Sequence, residues 1–381
     1  MANILYHSVE PENNAVSYSE FSTADFILTG LNRKMVANSL RLEGQIEVDK
    51  AGTAKSNTVI AAGEGQWSVD NMIGLHSVVE SVTTEVQSAG NIEHLGSYPR
   101  YVKLASASSR DANDYMSSDL VCEGRGATVS NGEYAVEPVA CLNLDAAGGG
   151  LVTTALPSFS IKIENCLNRM TANYSFDKHG YIKVSFNFAR ANQLLFGQDC
   201  DGTMNYSLRN LRLSYKTVPE DGVNEKLLMR SYFSTKSTIQ SQSASIQSRV
   251  PSDVVLGVSI CFLKQSSEAS PTENAYALEK LPNVESVRYM FSDTSNRFIS
   301  YSITETSDLL DRGIKSLQYS GHTEATQLKL KGNDCYIIGT DFPSPVSLRN
   351  QKFNFQVDTT SASLSGTPYL AWLYFHTLIS L

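Results

Sequence analysis

The chain has 381 residues, 41% of them hydrophobic and 18% charged, with 31 basic against 39 acidic side chains and a formal net charge of −8. With 15 Phe and 18 Tyr it is not a disordered chain, which needs low apolar content or dense charge to stay unfolded. At about 100–200 residues per domain the length suggests two domains, and 49 Ser beside 24 Gly favour strands joined by turns over long surface helices.

In chain order, Met1–Asn14 lacks a basic stretch followed by a long apolar one, so no secretory signal is expected and the sequons at Asn173 and Asn205 read as chance matches. Met1–Asp25 is polar with scattered Tyr and Phe, as a terminal arm or a frayed end would be. Ser39–Val48 sets Leu40, Leu42, Gly44, Ile46 and Val48 against Arg41, Glu43, Gln45 and Glu47, one dry and one wet sheet face. Gly74–Ser77 reads as a helix start whose capping box is Ser77 with Glu80, and Val82, Thr84 and Val86 then read as a strand.

Phe159–Glu164 alternates again. Tyr181–Phe188 follows a turn at Asp177–Gly180 and turns Ile182, Val184, Phe186 and Phe188 inward. Leu208–Tyr215 closes this strand-rich half, and Pro219–Gly222 is a polar turn expected to be the domain boundary. Beyond it Val254–Leu263 is a nearly continuous apolar strand, and Phe298–Ile303, Gln327–Lys331, Cys335–Ile338, Phe353–Val357 and Tyr369–Leu381 are further strands. Ser307–Leu317 is the one amphipathic helix of this half, with Leu309, Leu310, Ile314 and Leu317 on one face behind a Ser307 cap. Strands that do not alternate with helices argue for antiparallel sandwiches and against a doubly wound α/β fold. Two such halves, each with a short helix, suggest one architecture used twice.

Chemistry-bearing patterns are sparse. Pro219 divides 17 basic and 23 acidic residues from 14 and 16, so neither half is basic. The nearest approach to a phosphate-binding cluster is Arg209 with Arg212 and Lys216, too few for nucleic-acid binding. Cys122, Cys141, Cys166, Cys200, Cys261 and Cys335 form no C-x-x-C pair and read as free thiols. His7, His76, His94, His179, His322 and His376 stand apart from one another, with no two at ligand spacing. Asp199–Gly202 has its glycine too early for a calcium loop, and Gly124–Gly126 lacks the third glycine of a dinucleotide fingerprint. Ala146–Gly150 reads as a plain hinge. Glu43 and Glu47 project from one strand face, as the carboxylates of a sandwich-fold glycosidase would, but share it with Arg41 and Gln45 and read as a wet outer face. Trp67 beside a turn and Trp372 in an apolar run do not suggest a sugar platform. The Ser106–Asp119 stretch, with Tyr115 as its only aromatic, reads as a passive loop. No catalytic, cofactor or metal residues are expected.

Arg33–Val48, Asn71–Val82 and Gly90–Arg100, in succession, resemble the first jelly roll of double jelly-roll major capsid proteins of icosahedral DNA viruses, the tectivirus and adenovirus-hexon lineage. Pro157–Asn168, Gly180–Phe188 and Tyr206–Val218 resemble the closing strands of that roll. Over residues 225–381 the resemblance rests on strand count, the Ser307 helix and the terminal strand pair. It implies an all-β fold of two eight-stranded antiparallel jelly-roll sandwiches in tandem, with short helices in connecting loops. The implied layout is an N-terminal arm over 1–30, a first roll over 31–218, a linker over 219–224 and a second roll over 225–381.

The implied function is that of a viral major capsid protein forming pseudo-hexagonal trimeric capsomers, without catalysis or cofactor. The implied partners are its own copies in the homotrimer and in neighbouring capsomers, penton or minor capsid proteins, and an internal membrane reached by the arm. The place would be the capsid of a virion assembled in the host cytoplasm, and the short length points to a bacteriophage. The alternatives are a β-sandwich receptor- or glycan-binding spike or penton protein and, third, a sandwich-fold glycosidase.

Overall fold

The structure, a computed structural model, describes residues 3–50, 53–54, 69–70, 72–109, 123, 128–130, 133–135, 158–197, 200, 202–223, 226–292, 298–318, 336–349, 351–360, 364 and 366–381. Eight main strands form a first pair of antiparallel sheets, to which Arg33–Met35, Thr53–Ala54 and Tyr174–Ser175 add short marginal strands: β1 (Leu5–Val9), β2 (Thr23–Leu28), β3 (Arg41–Lys50), β4 (Val79–Val86), β5 (Gly90–Leu95), β6 (Ser158–Lys162), β7 (Ile182–Phe188) and β8 (Met204–Pro219). Eight more form a second pair: β9 (Leu228–Ile239), β10 (Ser243–Ser248), β11 (Val255–Lys264), β12 (Val284–Ser292), β13 (Phe298–Ile303), β14 (Ile337–Val346), β15 (Phe353–Thr359) and β16 (Tyr369–Ser380).

The sheet orders are β1-β8-β3-β6 with β2-β7-β4-β5, and β9-β16-β11-β14 with β10-β15-β12-β13. Every strand of the second set is eight places beyond its counterpart, so both sandwiches carry the same connectivity, that of an eight-stranded jelly roll. Helices α1 (Tyr98–Ser109) and α2 (Thr306–Leu317) occupy the same place in each, between the fifth and sixth strands. The duplication suggested by the two halves is thus a strand-for-strand repeat.

Alternation explains the first sandwich. Leu42, Ile46 and Val48 of β3 are fully buried, while Arg41, Glu43, Gln45 and Glu47 line its outer face. Gly44 is required where β8 bulges at Asn210, whose φ is 52°, because a Cβ at Gly44 would come within 2.8 Å of the Leu211 side chain.

Two expectations change. The segment read as an arm holds two strands of the first sandwich: β1 pairs with Leu213–Thr217 of β8, and His7 stacks on Tyr215 at 4.8 Å. Ala24, Phe26 and Leu28 of β2 are fully buried, with Phe26 edge-on to Phe186. Tethering these residues buries apolar surface that a free arm would leave in water. The expected first helix is a single 3-10 turn, Gly74–Val78, in which the Ser77 hydroxyl donates to the Gly74 carbonyl, and Glu80 already lies in β4. There is no capping box. The long helix of this half is α1, whose last residues, Ser106–Ser109, begin the stretch read as a loop; 110–119 lie outside the described residues.

Helix α2 agrees with the sequence reading except that its N-cap is Glu305 and not Ser307. The apolar runs of β11 and β16 are strands buried on both faces. Phe375 of β16 points inward to meet Phe353 at 5.1 Å, whereas Trp372 and Tyr374 point outward beneath α1.

Candidate functional site

The most elaborate side-chain chemistry among the described residues lies at the seam between the sandwiches, where α1 of the first lies across the outer face of sheet β9-β16-β11-β14 of the second. Tyr98 fastens α1 to its own sandwich: its hydroxyl accepts from the Glu164 amide at 3.0 Å and lies 3.0 Å from His76 Nδ1. Pro99 suits the first turn, where its missing N–H costs nothing. Lys103 forms a buried ion pair with Asp70 at 2.5 Å, and Asn274 of the second sandwich donates to the same carboxylate oxygen at 2.6 Å.

Arg100 crosses the seam. Its guanidinium lies 3.7 Å above the Trp372 ring and donates to the carbonyls of Ala275 and Ala277. Such a stack on a buried indole combines cation-π attraction with apolar burial. Tyr101 stacks on Tyr232 at 3.7 Å, and its hydroxyl accepts from Arg169, which also pairs with Glu164 at 2.8 Å. Burial acts to raise the Glu164 carboxyl, but the Arg169 guanidinium prevails and holds it at about 2. Glu93 of β5 accepts from the Ser231 hydroxyl of β9 and from the Cys166 amide. Burial raises its pKa, against the pull of these hydrogen bonds. The backbone joins in, as Tyr374 and Ser234 donate to the carbonyls of Ser97 and Gly96.

A cavity of about 390 Å³ at one side of the seam is lined by Phe21, Glu80, Arg190, Lys236 and Glu268, and burial pushes Glu80 up to about 7. Among the described residues Ser259 and His376 pair as a nucleophile and base would, with Oγ 2.8 Å from Nε2, and His7 with Thr217 and His94 with Thr83 are further hydroxyl–imidazole pairs. Ser259 and His376 are both buried, and Ser259 also meets Ser316 of α2, so that pair is closed to a substrate. Burial holds His376 near 3, neutral at ordinary pH. The seam's chemistry is that of a clamp: stacked rings, satisfied ion pairs and hydrogen bonds that fix one sandwich against the other.

The residues singled out from sequence are dispersed. Glu43 accepts from Ser214 and Ser160, and Glu47 pairs with Arg209 at 2.6 Å, all on the outer face of β3 and β8. Trp372 lies in the seam, and Cys166, Cys200 and Cys261 are buried free thiols. His322, Trp67, Cys122, Cys141, Cys335, Gly124–Gly126, Ala146–Gly150, Asp199 and Asp201 fall outside the described residues. Among the described residues no group of three His, Cys, Asp or Glu could hold a metal ion. Sequence reading missed Arg100 and Tyr101, although a Tyr-Pro-Arg-Tyr run at a helix start is a visible signal.

No protein-family model matches the chain, and no curated protein matches it. Its fold is similar to that of the Faustovirus major capsid protein, with a TM-score of 0.63 at 9% identity, covering 100% of this chain and 91% of that one. It is also similar to the mavirus major capsid protein, with a TM-score of 0.50 at 12% identity over 99% of this chain and 90% of that one. A third similar structure, PBCV-1 VP54 fitted into a reconstruction of the virophage Sputnik, gives a TM-score of 0.56 at 12% identity over 100% and 95%. The chain has the double jelly-roll fold of viral major capsid proteins.

Proposed function

We propose that this protein is a viral major capsid protein that assembles as a trimer into pseudo-hexagonal capsomers of an icosahedral shell. The observation that carries the reading is the strand-for-strand repeat of two jelly rolls, locked side by side by a buried seam, together with likeness to capsid proteins over the whole chain. Three chains of paired, matched sandwiches give six similar lobes around one axis. Closed threefold symmetry needs a heterologous contact, and the net charge of −8 keeps unassembled protein soluble.

In this reading the first roll runs from β1 to Val218 of β8, residues 219–224 are the linker and 225–381 the second roll. The role is structural and without catalysis. The partners are copies of the chain and the minor proteins that close the shell's vertices, and assembly takes place in the host cytoplasm. Negative-stain imaging of the purified protein is expected to show hexagonal particles with six lobes; isolated two-lobed particles at every concentration would overturn the trimer.

A further inference from the structure

Asp70, Lys103 and Asn274 meet inside the seam in an arrangement that an ion pair alone does not require. One carboxylate oxygen of Asp70 accepts from the Met72 and Ile73 amides at 2.9 and 3.2 Å, which fixes the group. The other accepts from Lys103 Nζ at 2.5 Å and from Asn274 Nδ2 at 2.6 Å, so an amine and a carboxamide are neighbours across a single oxygen. Asp70 and Lys103 are 1% and 3% exposed. The carbonyl oxygen of the Asn274 side chain accepts from the Tyr276 amide at 2.9 Å.

Both sandwiches supply parts. Lys103 stands on α1 of the first, and Asn274 on the connection between β11 and β12 of the second. Arg100 of α1 holds that connection in place by donating to the Ala275 and Ala277 carbonyls just beyond Asn274. A buried ion pair contributes little over well-packed apolar residues, so its presence here, with a carboxamide on the same oxygen, calls for a use. An amine, a carboxamide and a fixed carboxylate in a dry site are the parts of an amide transfer: nucleophile, acyl group and proton carrier.

We propose that Lys103 and Asn274 join in an isopeptide bond, formed by the folded chain itself and tying the two sandwiches together across the seam. Asp70 takes a proton from the Lys103 ammonium. The freed Nζ attacks Cγ of Asn274, and the new N–C bond places negative charge on Oδ1, where the Tyr276 amide meets it. The Cγ–Nδ2 bond then breaks as the leaving nitrogen takes the proton held by Asp70 and a second from Nζ. The products are a secondary amide and one ammonium ion; Asp70 returns to a carboxylate, and nothing is oxidised or reduced. The step occurs once per chain and turns over no substrate, so it accords with a structural role. It depends on neither the trimer nor the capsid reading.

The test is mass spectrometry of the full-length protein purified in its folded state. The intact mass is expected to fall below the sequence mass by one ammonia, and a proteolytic digest to yield the Lys103 and Asn274 peptides as one linked species. Asp70→Asn keeps the shape of the side chain and removes the proton carrier; it is expected to give the full sequence mass and separate peptides, as is Lys103→Met. Linked peptides that persist in Asp70→Asn would overturn the role given to Asp70. Should these buried changes unfold the chain, the unaltered protein decides alone. Full mass with separate Lys103 and Asn274 peptides would overturn the bond, and so would a loss of ammonia without the linked species, as succinimide formation elsewhere would give.

Discussion

Glu80 shows how position decides what a carboxyl does. As a capping residue it would be charged and wet; in β4, at the rim of the seam cavity, burial pushes its pKa up to about 7, partly offset by Arg100. A carboxyl raised above its unfolded value favours the fold while protonated, so its contribution is present below about 4.5 and is lost as the pH rises through about 7. Glu80→Gln is therefore expected to raise the melting temperature at pH 8 and to leave it nearly unchanged at pH 4, measured by scanning calorimetry; an equal effect at both would show that the carboxyl is not held protonated. His376 carries the opposite sign. Burial lowers it to about 3, so the neutral ring favours the fold above its unfolded value of 6.5, and that advantage is lost as the pH falls from there toward 3.

The helices explain which elements the sequence revealed. Gly313 of α2 packs so close to β14 that a Cβ would lie 2.8 Å from the Ile337 carbonyl oxygen. Alanine is ordinarily better than glycine inside a helix by about 1 kcal/mol. Here Gly313→Ala is expected instead to destabilise by about 1–3 kcal/mol, because backbone must move to admit the methyl, as chemical unfolding would show. A stabilised variant would mean that α2 does not sit against the sheet.

Strands with one wet face, such as β3 and β7, were legible because Leu42, Ile46, Val184 and Phe186 alternate with polar residues. In β11 and β16 the alternation is absent because helices cover the outer face, and the apolar runs were read as strands without their cause. In β12 Val287, Tyr289 and Phe291 alternate and are all buried, a strand signal that the sequence carries in plain form. β9 was hidden because Tyr232 faces α1 while Phe233 faces inward, and β10 by its serines. Polar neighbours mask the alternation of Ala24, Phe26 and Leu28, so β1 and β2 read as an arm in the sequence. The seam was the least visible, since it depends on Arg100 and Trp372, 272 positions apart, meeting in space.

At the scale of the molecule, these parts make a rigid two-sandwich unit. Its two equivalent sheet faces differ: that of the second sandwich is covered by α1, while that of the first carries Arg209 and Arg212 paired with Glu47 and Glu10, beside exposed Tyr6. The most direct measurement is the native mass of the purified protein near neutral pH. The capsomer account requires a species at three times the 41.7 kDa chain mass, persisting on dilution. A single 41.7 kDa species at every concentration would contradict it.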